Sequence, residues 1–154
     1  MNLFKNFLTR PKDETNGQYN ASEKDQHLNG EKDHHLDIVG QYYKRDEMIH
    51  LVKEMLDHGL FLDGKYSFRL PCKLEQEPTN KADPNAIKVM VKCPKDRSAE
   101  WRCIGYIPRE EQKAANKYDA FTQTKEYYWH FHLYFDFTSA PEMELTLRKS
   151  KYHN

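Results

Sequence analysis

The sequence predicts a mainly β domain of the α+β class, with about six short strands closing into a small barrel or strongly bent sheet and about two flanking helices. Three observations predict it. Six stretches read as strands, most by strict apolar/polar alternation. Only two stretches read as helices. Ten Tyr, eight Phe and two Trp in 154 residues supply enough apolar bulk for a core.

Residues 1–36 read as a disordered or weakly ordered tail. Leu3, Phe4, Phe7 and Leu8 have the spacing of a short amphipathic helix, which suits either a frayed end or a docking peptide for a partner or a membrane surface. From Lys12 to His35 almost no apolar side chain follows, so little burial is available to offset the entropy of ordering. Residues 37–150 read as one domain, within roughly 100–200 residues per domain.

Leu36 to Tyr43 is a strand candidate interrupted by Gly40, which puts Tyr42 and Tyr43 on opposite faces. Arg45 to His58 is the clearest helix, with Met48, Leu51, Val52, Met55 and Leu56 at helical spacing. Asp46 is a candidate cap and Gly59 a stop. Tyr66, Phe68, Leu70, Cys72 and Leu74 alternate with polar residues as one strand, with Pro71 marking an edge or bulge. After a loop from Glu75 to Asn85, Ile87, Val89 and Val91 alternate again, and Trp101 to Ile107 is the returning strand. Pro108, followed by Glu110 and Glu111, starts a second helix to about Tyr118. Trp129, Phe131, Leu133, Phe135 and Phe137 then pair with Met143, Leu145 and Leu147 as a hairpin.

Twenty-four Lys and Arg balance twenty-four Asp and Glu. No apolar run approaches the roughly 18 residues of a spanning helix, so no membrane partner is expected. Cys72, Cys93 and Cys103 are an odd set without a CxxC pair, which suits a reducing cytoplasmic compartment. The first ten residues lack the long apolar region of a secretory signal. The zero net charge hides a pattern. Residues 65–117 hold twelve Lys and Arg against seven Asp and Glu, an excess of five. Lys88 and Lys92 share a strand face there, Lys95 and Arg97 flank them, and Lys73, Lys81, Arg102 and Arg109 join if the sheet closes. Such a patch attracts a polyanion in a salt-dependent way. The plainer reading is a solvated face of mixed charge.

His130 and His132 form an HxH pair, but no further ligands stand at matching spacing, so neither a metal nor any other cofactor is expected. No nucleophile–base pair or acidic cluster stands out, and no enzyme activity is expected.

Two blocks change this reading. Glu77-Pro78, Asn80, Asp83 and Asn85-Ala86-Ile87 form the pattern E-P-x-N-x-x-D-x-N-A-I, and Ile104 to Arg109 reads I-G-Y-I-P-R. With Ile38-Val39-Gly40 and the Tyr42-Tyr43 pair ahead of them, they resemble the HIRAN domain over about Leu36 to Tyr118. That domain occurs in SWI/SNF-type DNA translocases and as small standalone bacterial and phage proteins. The resemblance implies an OB-like barrel of about six strands that binds single-stranded DNA, in the best understood members at a free 3′ end. It implies that Tyr42 or Tyr43 stacks on a base and that Asp83 accepts a hydrogen bond from the terminal hydroxyl. It further implies that Asn80 braces the loop and that Tyr106 and Arg109 face the backbone; Lys88, from the charge pattern, is added to them as a nucleic-acid-binding candidate. The chain departs from the family at Ala82, where DNA-binding members carry an aromatic, and at Gln41, where a basic residue is common.

The chemistry agrees. An ionised carboxylate only accepts hydrogen bonds, so it welcomes a hydroxyl and repels a phosphate. Stacking is worth roughly 1–3 kcal/mol per base and tolerates any sequence. For Asp83 the plain alternative is a turn residue bonding its own backbone. For the whole domain it is a protein-interaction module, with a protein partner on the 45–58 helix and the Trp129 hairpin.

Overall fold

A computed structural model describes residues 34–60, 67–134 and 141–150 of the chain. The Leu3–Leu8 segment, residues 1–33 of the expected tail, Tyr66, Phe135 and Phe137 lie outside the described residues. The elements are β1 (His34–Leu36), α1 (Arg45–Asp57), β2 (Ser67–Leu70), β3 (Cys72–Gln76), β4 (Ile87–Val91), β5 (Arg102–Tyr106), α2 (Gln112–Thr122), β6 (Tyr127–Tyr134) and β7 (Glu142–Lys149). Short 3-10 turns at Gln41–Lys44 and Arg109–Glu111 lead into the two helices. The chain is mostly β with two helices. Among the described residues the strands form two antiparallel sheets, β1-β7-β6-β2 and β3-β4-β5, in place of one closed six-stranded ring.

Pro71 explains the division. The strand expected over Tyr66–Leu74 is two strands, because proline has no N–H to give to a ladder. Its carbonyl accepts from the Lys92 N–H at 3.3 Å. Ahead of it β2 pairs with β6, and beyond it β3 pairs with β4. One bent segment therefore serves both sheets.

The start of the fold also differs from expectation. β1 pairs with β7 from His34 onward, ahead of the expected boundary at residue 37. The Leu36–Tyr43 strand is cut short. Val39 and Tyr106 exchange both backbone bonds at 2.8 Å as an isolated bridge. Gly40 then turns with φ +77°, a left-handed conformation that glycine adopts without steric penalty. The Tyr43 N–H donates to the Gly40 carbonyl at 3.1 Å. Tyr42 and Tyr43 thus stand on a 3-10 turn, not on opposite faces of a strand.

α1 buries Met48, Leu51, Val52 and Met55 on one face. Lys44 occupies its N-cap position without a side-chain bond, and Asp46 lies in the first turn. There its charge complements the helix dipole rather than capping the end. At the other end Gly59 and Leu60 donate to the Leu56 and Met55 carbonyls at 3.0 and 3.1 Å. The core joins these residues to Val89, Val91 and Ile104 of one sheet and Phe131, Leu133 and Leu145 of the other. Each such side chain stabilises the fold by about 1.5–3 kcal/mol through burial. The hairpin is buried on both faces: His130, Glu144 and Thr146, in the polar phase of the alternation, are also buried. Among the described residues no helix is long and apolar enough to cross a membrane.

Candidate nucleic-acid interface

The two sequence blocks meet because the loop between β3 and β4 packs against the turn that enters α2. Asn80 organises the loop. Its Oδ1 accepts from the N–H groups of Ala82 and Asp83 at 2.9 and 3.0 Å, and its Nδ2 donates to Glu77 Oε2 at 3.0 Å. Asp83 follows with an Asx turn, its Oδ1 accepting from the Asn85 N–H at 2.9 Å. Its Oδ2 accepts from Gln112 Nε2 at 2.6 Å and lies 3.5 Å from Arg109 Nε. Arg109 also donates through Nη2 to the Ala82 carbonyl at 2.9 Å. The Gln112 amide, the Asn85 N–H and the Arg109 guanidinium hold the Asp83 carboxyl below the usual carboxylate range. Asp83 is therefore ionised at neutral pH.

Tyr106 is the second station. It faces Lys88 across the β4–β5 ladder. Lys44 lies 5.5 Å from the centre of its ring. Burial and a hydrogen bond to Glu77 push its phenol pKa up. Glu77 is itself held low by Asn80, by Tyr106 and by Lys88 and Lys44. Glu77 thus links the Asn80–Asp83 loop to Tyr106. Lys88 lies 3.2 Å from Glu75, so part of its charge is answered within the sheet.

Gly105 explains why the opening segment lies beside this station. A Cβ there would stand 2.6 Å from Ile38 Cγ2 and 2.9 Å from the Val39 carbonyl. Only glycine lets the two backbones come this close. The bridge at Val39 then delivers the next turn, with Tyr42 and Tyr43, next to Tyr106. The two tyrosine rings meet edge to face at 5.3 Å. Arg45 sits over the Tyr42 ring at 4.5 Å, whereas Tyr43 is 63% exposed.

The structure therefore brings together Asn80, Asp83 and Arg109 directly, and Lys88 with Tyr106. Val39 and Glu77 connect the tyrosine turn and the loop to that second pair. Arg102 does not join the basic face. It is bound to Glu54 and Glu47 of α1 and ties that helix to β5. Glu77, Gln112 and Lys44 contact the candidate residues Asn80, Asp83 and Tyr106 and were not among the candidates read from the sequence. Glu77 carried a signal as the first letter of the E-P block. Gln112 shares a helical face with Arg109 three residues earlier, a weak signal.

The HxH pair stands apart on the hairpin. Burial, with Arg148 and Arg69, drives the His130 pKa down to about 3. Among the described residues no group of three or more His, Cys, Asp or Glu is placed to hold a metal ion.

A comparison with known protein families matches the HIRAN domain over residues 39–125, which takes in both sequence blocks, the tyrosine turn and α2. Searches of curated proteins and of solved structures return no match. The chain belongs to the HIRAN domain family, whose members are in general nucleic-acid-binding modules.

Proposed function

We propose that this HIRAN domain is a non-catalytic module that binds single-stranded DNA at its 3′-hydroxyl end. The observation that carries the reading is the Asp83 carboxylate, ionised and framed by Gln112 and Arg109. A carboxylate has about four acceptor sites, and Asn85 and Gln112 take one each, so capacity remains for a hydroxyl donor. A terminal phosphate in the same place meets a negative charge. The Arg109 guanidinium is 73% exposed beside it and suits the preceding phosphate. Tyr43 supplies the open ring on which a base stacks, with Tyr42 held behind it by Arg45. Tyr106 and Lys88, facing each other across the β4–β5 ladder, add a further ring and cation for the strand.

The test is a binding titration of the full chain with single-stranded DNA ending in a 3′-hydroxyl or a 3′-phosphate, at two salt concentrations. Tighter binding to the hydroxyl end, steep weakening with salt, and loss of the end preference in Asp83→Ala support the reading. Equal loss on both ends removes the hydroxyl role. Absence of salt-dependent binding turns the surface into a protein-interaction site.

A further inference from the structure

We infer that the outer face of β3–β5 carries a second nucleotide subsite at Trp101, with a base on the indole and its phosphate held by Lys73 and Lys92. The inference rests on the single-strand reading above and extends the path beyond the end-binding site. Trp101 lies one residue ahead of β5. Val91 faces Arg102, so the next step along the ladder sets Lys92 opposite Trp101. Lys73 faces Met90 on the neighbouring strand. The two ammonium groups lie 4.5 and 5.2 Å from the indole ring centre. On this face β3, β4 and the residue after each carry Lys73, Lys88 and Lys92 against Glu75 and Glu77, three cations to two anions, with Glu75 lying 3.8 Å from Lys73 and 3.2 Å from Lys88.

The spacing makes a path. Lys88 of β4 and Lys92, one residue past its end, stand in the same strand phase four residues apart, or about 13 Å at roughly 3.3 Å per residue. Lys88 stands beside Tyr106, and Lys92 beside Trp101. The face therefore repeats an aromatic ring and a lysine at each end. A base stacked on an indole is worth more than an exposed cation–π contact. An incoming nucleotide exchanges ring contacts of the lysines for contacts with its phosphate, which also compensates their charge.

The experiment uses the full chain and 3′-hydroxyl DNA strands of about four and about twelve nucleotides, lengths at the short and long sides of single-strand site sizes. Trp101→Ala is expected to weaken the longer strand roughly tenfold, the size of one stack, and to leave the shorter unchanged. Trp101→Phe keeps a ring and restores most of the affinity. The Lys73→Gln, Lys92→Gln double variant leaves the indole in place and lowers the salt slope of the longer strand by about 0.7 per lost phosphate contact. Unchanged affinity of these variants for the longer strand, or equal loss on both lengths, overturns the subsite while leaving the end site standing. Failure of the wild-type chain to bind either length overturns the single-strand reading itself, and the subsite with it.

Discussion

Gln112 Nε2 donates to Asp83 Oδ2 at 2.6 Å, joining the first turn of α2 to the loop between β3 and β4. The bond does two things. It fixes the direction of the carboxylate, and it favours the ionised form. Gln112→Ala is therefore expected to raise the Asp83 pKa and to weaken preference for a 3′-hydroxyl over a 3′-phosphate, with the fold intact. NMR titration of the carboxyl carbon reads the first effect. An unchanged titration would show that Gln112 is incidental.

The same coupling fixes a pH dependence. The Asp83 pKa is lowered from 3.8 on folding, so the unfolded chain takes up the proton first as pH falls. The stability from its charge is complete above 3.8 and is lost as pH falls through the lowered folded value. Asp83→Asn is expected to have a lower thermal midpoint than wild type at neutral pH. The gap closes in strong acid. A gap that stays constant across the titration assigns the effect to packing instead.

Gly105→Ala is expected to destabilise the domain by about 1–3 kcal/mol, the usual cost of overpacking. Its Cβ meets the Val39 carbonyl and Ile38, and the backbone there has no easy retreat because Val39 is bonded to Tyr106 in both directions. Relief requires the opening segment to move off β5, which carries Tyr42 and Tyr43 away with it. Chemical denaturation measures the first consequence and loss of DNA affinity at permissive temperature the second. Wild-type stability would show that the segment shifts without cost.

Arg102→Ala separates structural charge from binding charge. The guanidinium is held by Glu54 and Glu47 and is largely buried between α1 and β5. Hydrogen bonds to charged groups contribute about 1.5–3 kcal/mol, so a loss of that order in unfolding free energy is expected. The salt slope of DNA binding should stay at the wild-type value, because Arg102 has no charge to spare for phosphate. A reduced slope would return it to the basic face.

These residues show what was legible in the sequence. Period-two alternation located β4, β6 and β7, because each must bury one complete face. It did not separate β2 from β3: Pro71 leaves the side-chain period intact and changes only the backbone partner. The tyrosine turn was hidden for a similar reason, since Gly40 in an otherwise β-like run decides by its φ where the strand stops. Arg102 looked like a basic-patch residue because Glu47 and Glu54 lie about fifty positions away in sequence and meet it only through the packing of α1. The loop site was the most readable part. Asn80, Asp83 and Asn85 bond within a few residues of themselves, so their spacing already contains their geometry. Burial of His130, Glu144 and Thr146 was not readable, because their alternation alone marks them as solvent-facing.

α2 holds the candidate site from behind. Along α2, Gln112 bonds Asp83, Asn116 accepts from Gln76, and Asp119 accepts from the indole N–H of Trp129 at 2.7 Å. The first two reach the three-stranded sheet and its loop, and the third reaches the four-stranded sheet. α2 is therefore a strut between the sheets, with the candidate site at one end. Asp119→Ala leaves the buried Trp129 N–H without an acceptor, which costs about 1–3 kcal/mol. Asp119→Asn keeps an acceptor oxygen and should recover most of that loss. Because Gln112 rides on the same helix, Asp119→Ala should also lower affinity for the 3′-hydroxyl end, and Asp119→Asn should restore it. Denaturation and DNA titration on the two variants read both effects. Stability lost without any change in binding would mean that the loop holds Asp83 in place unaided.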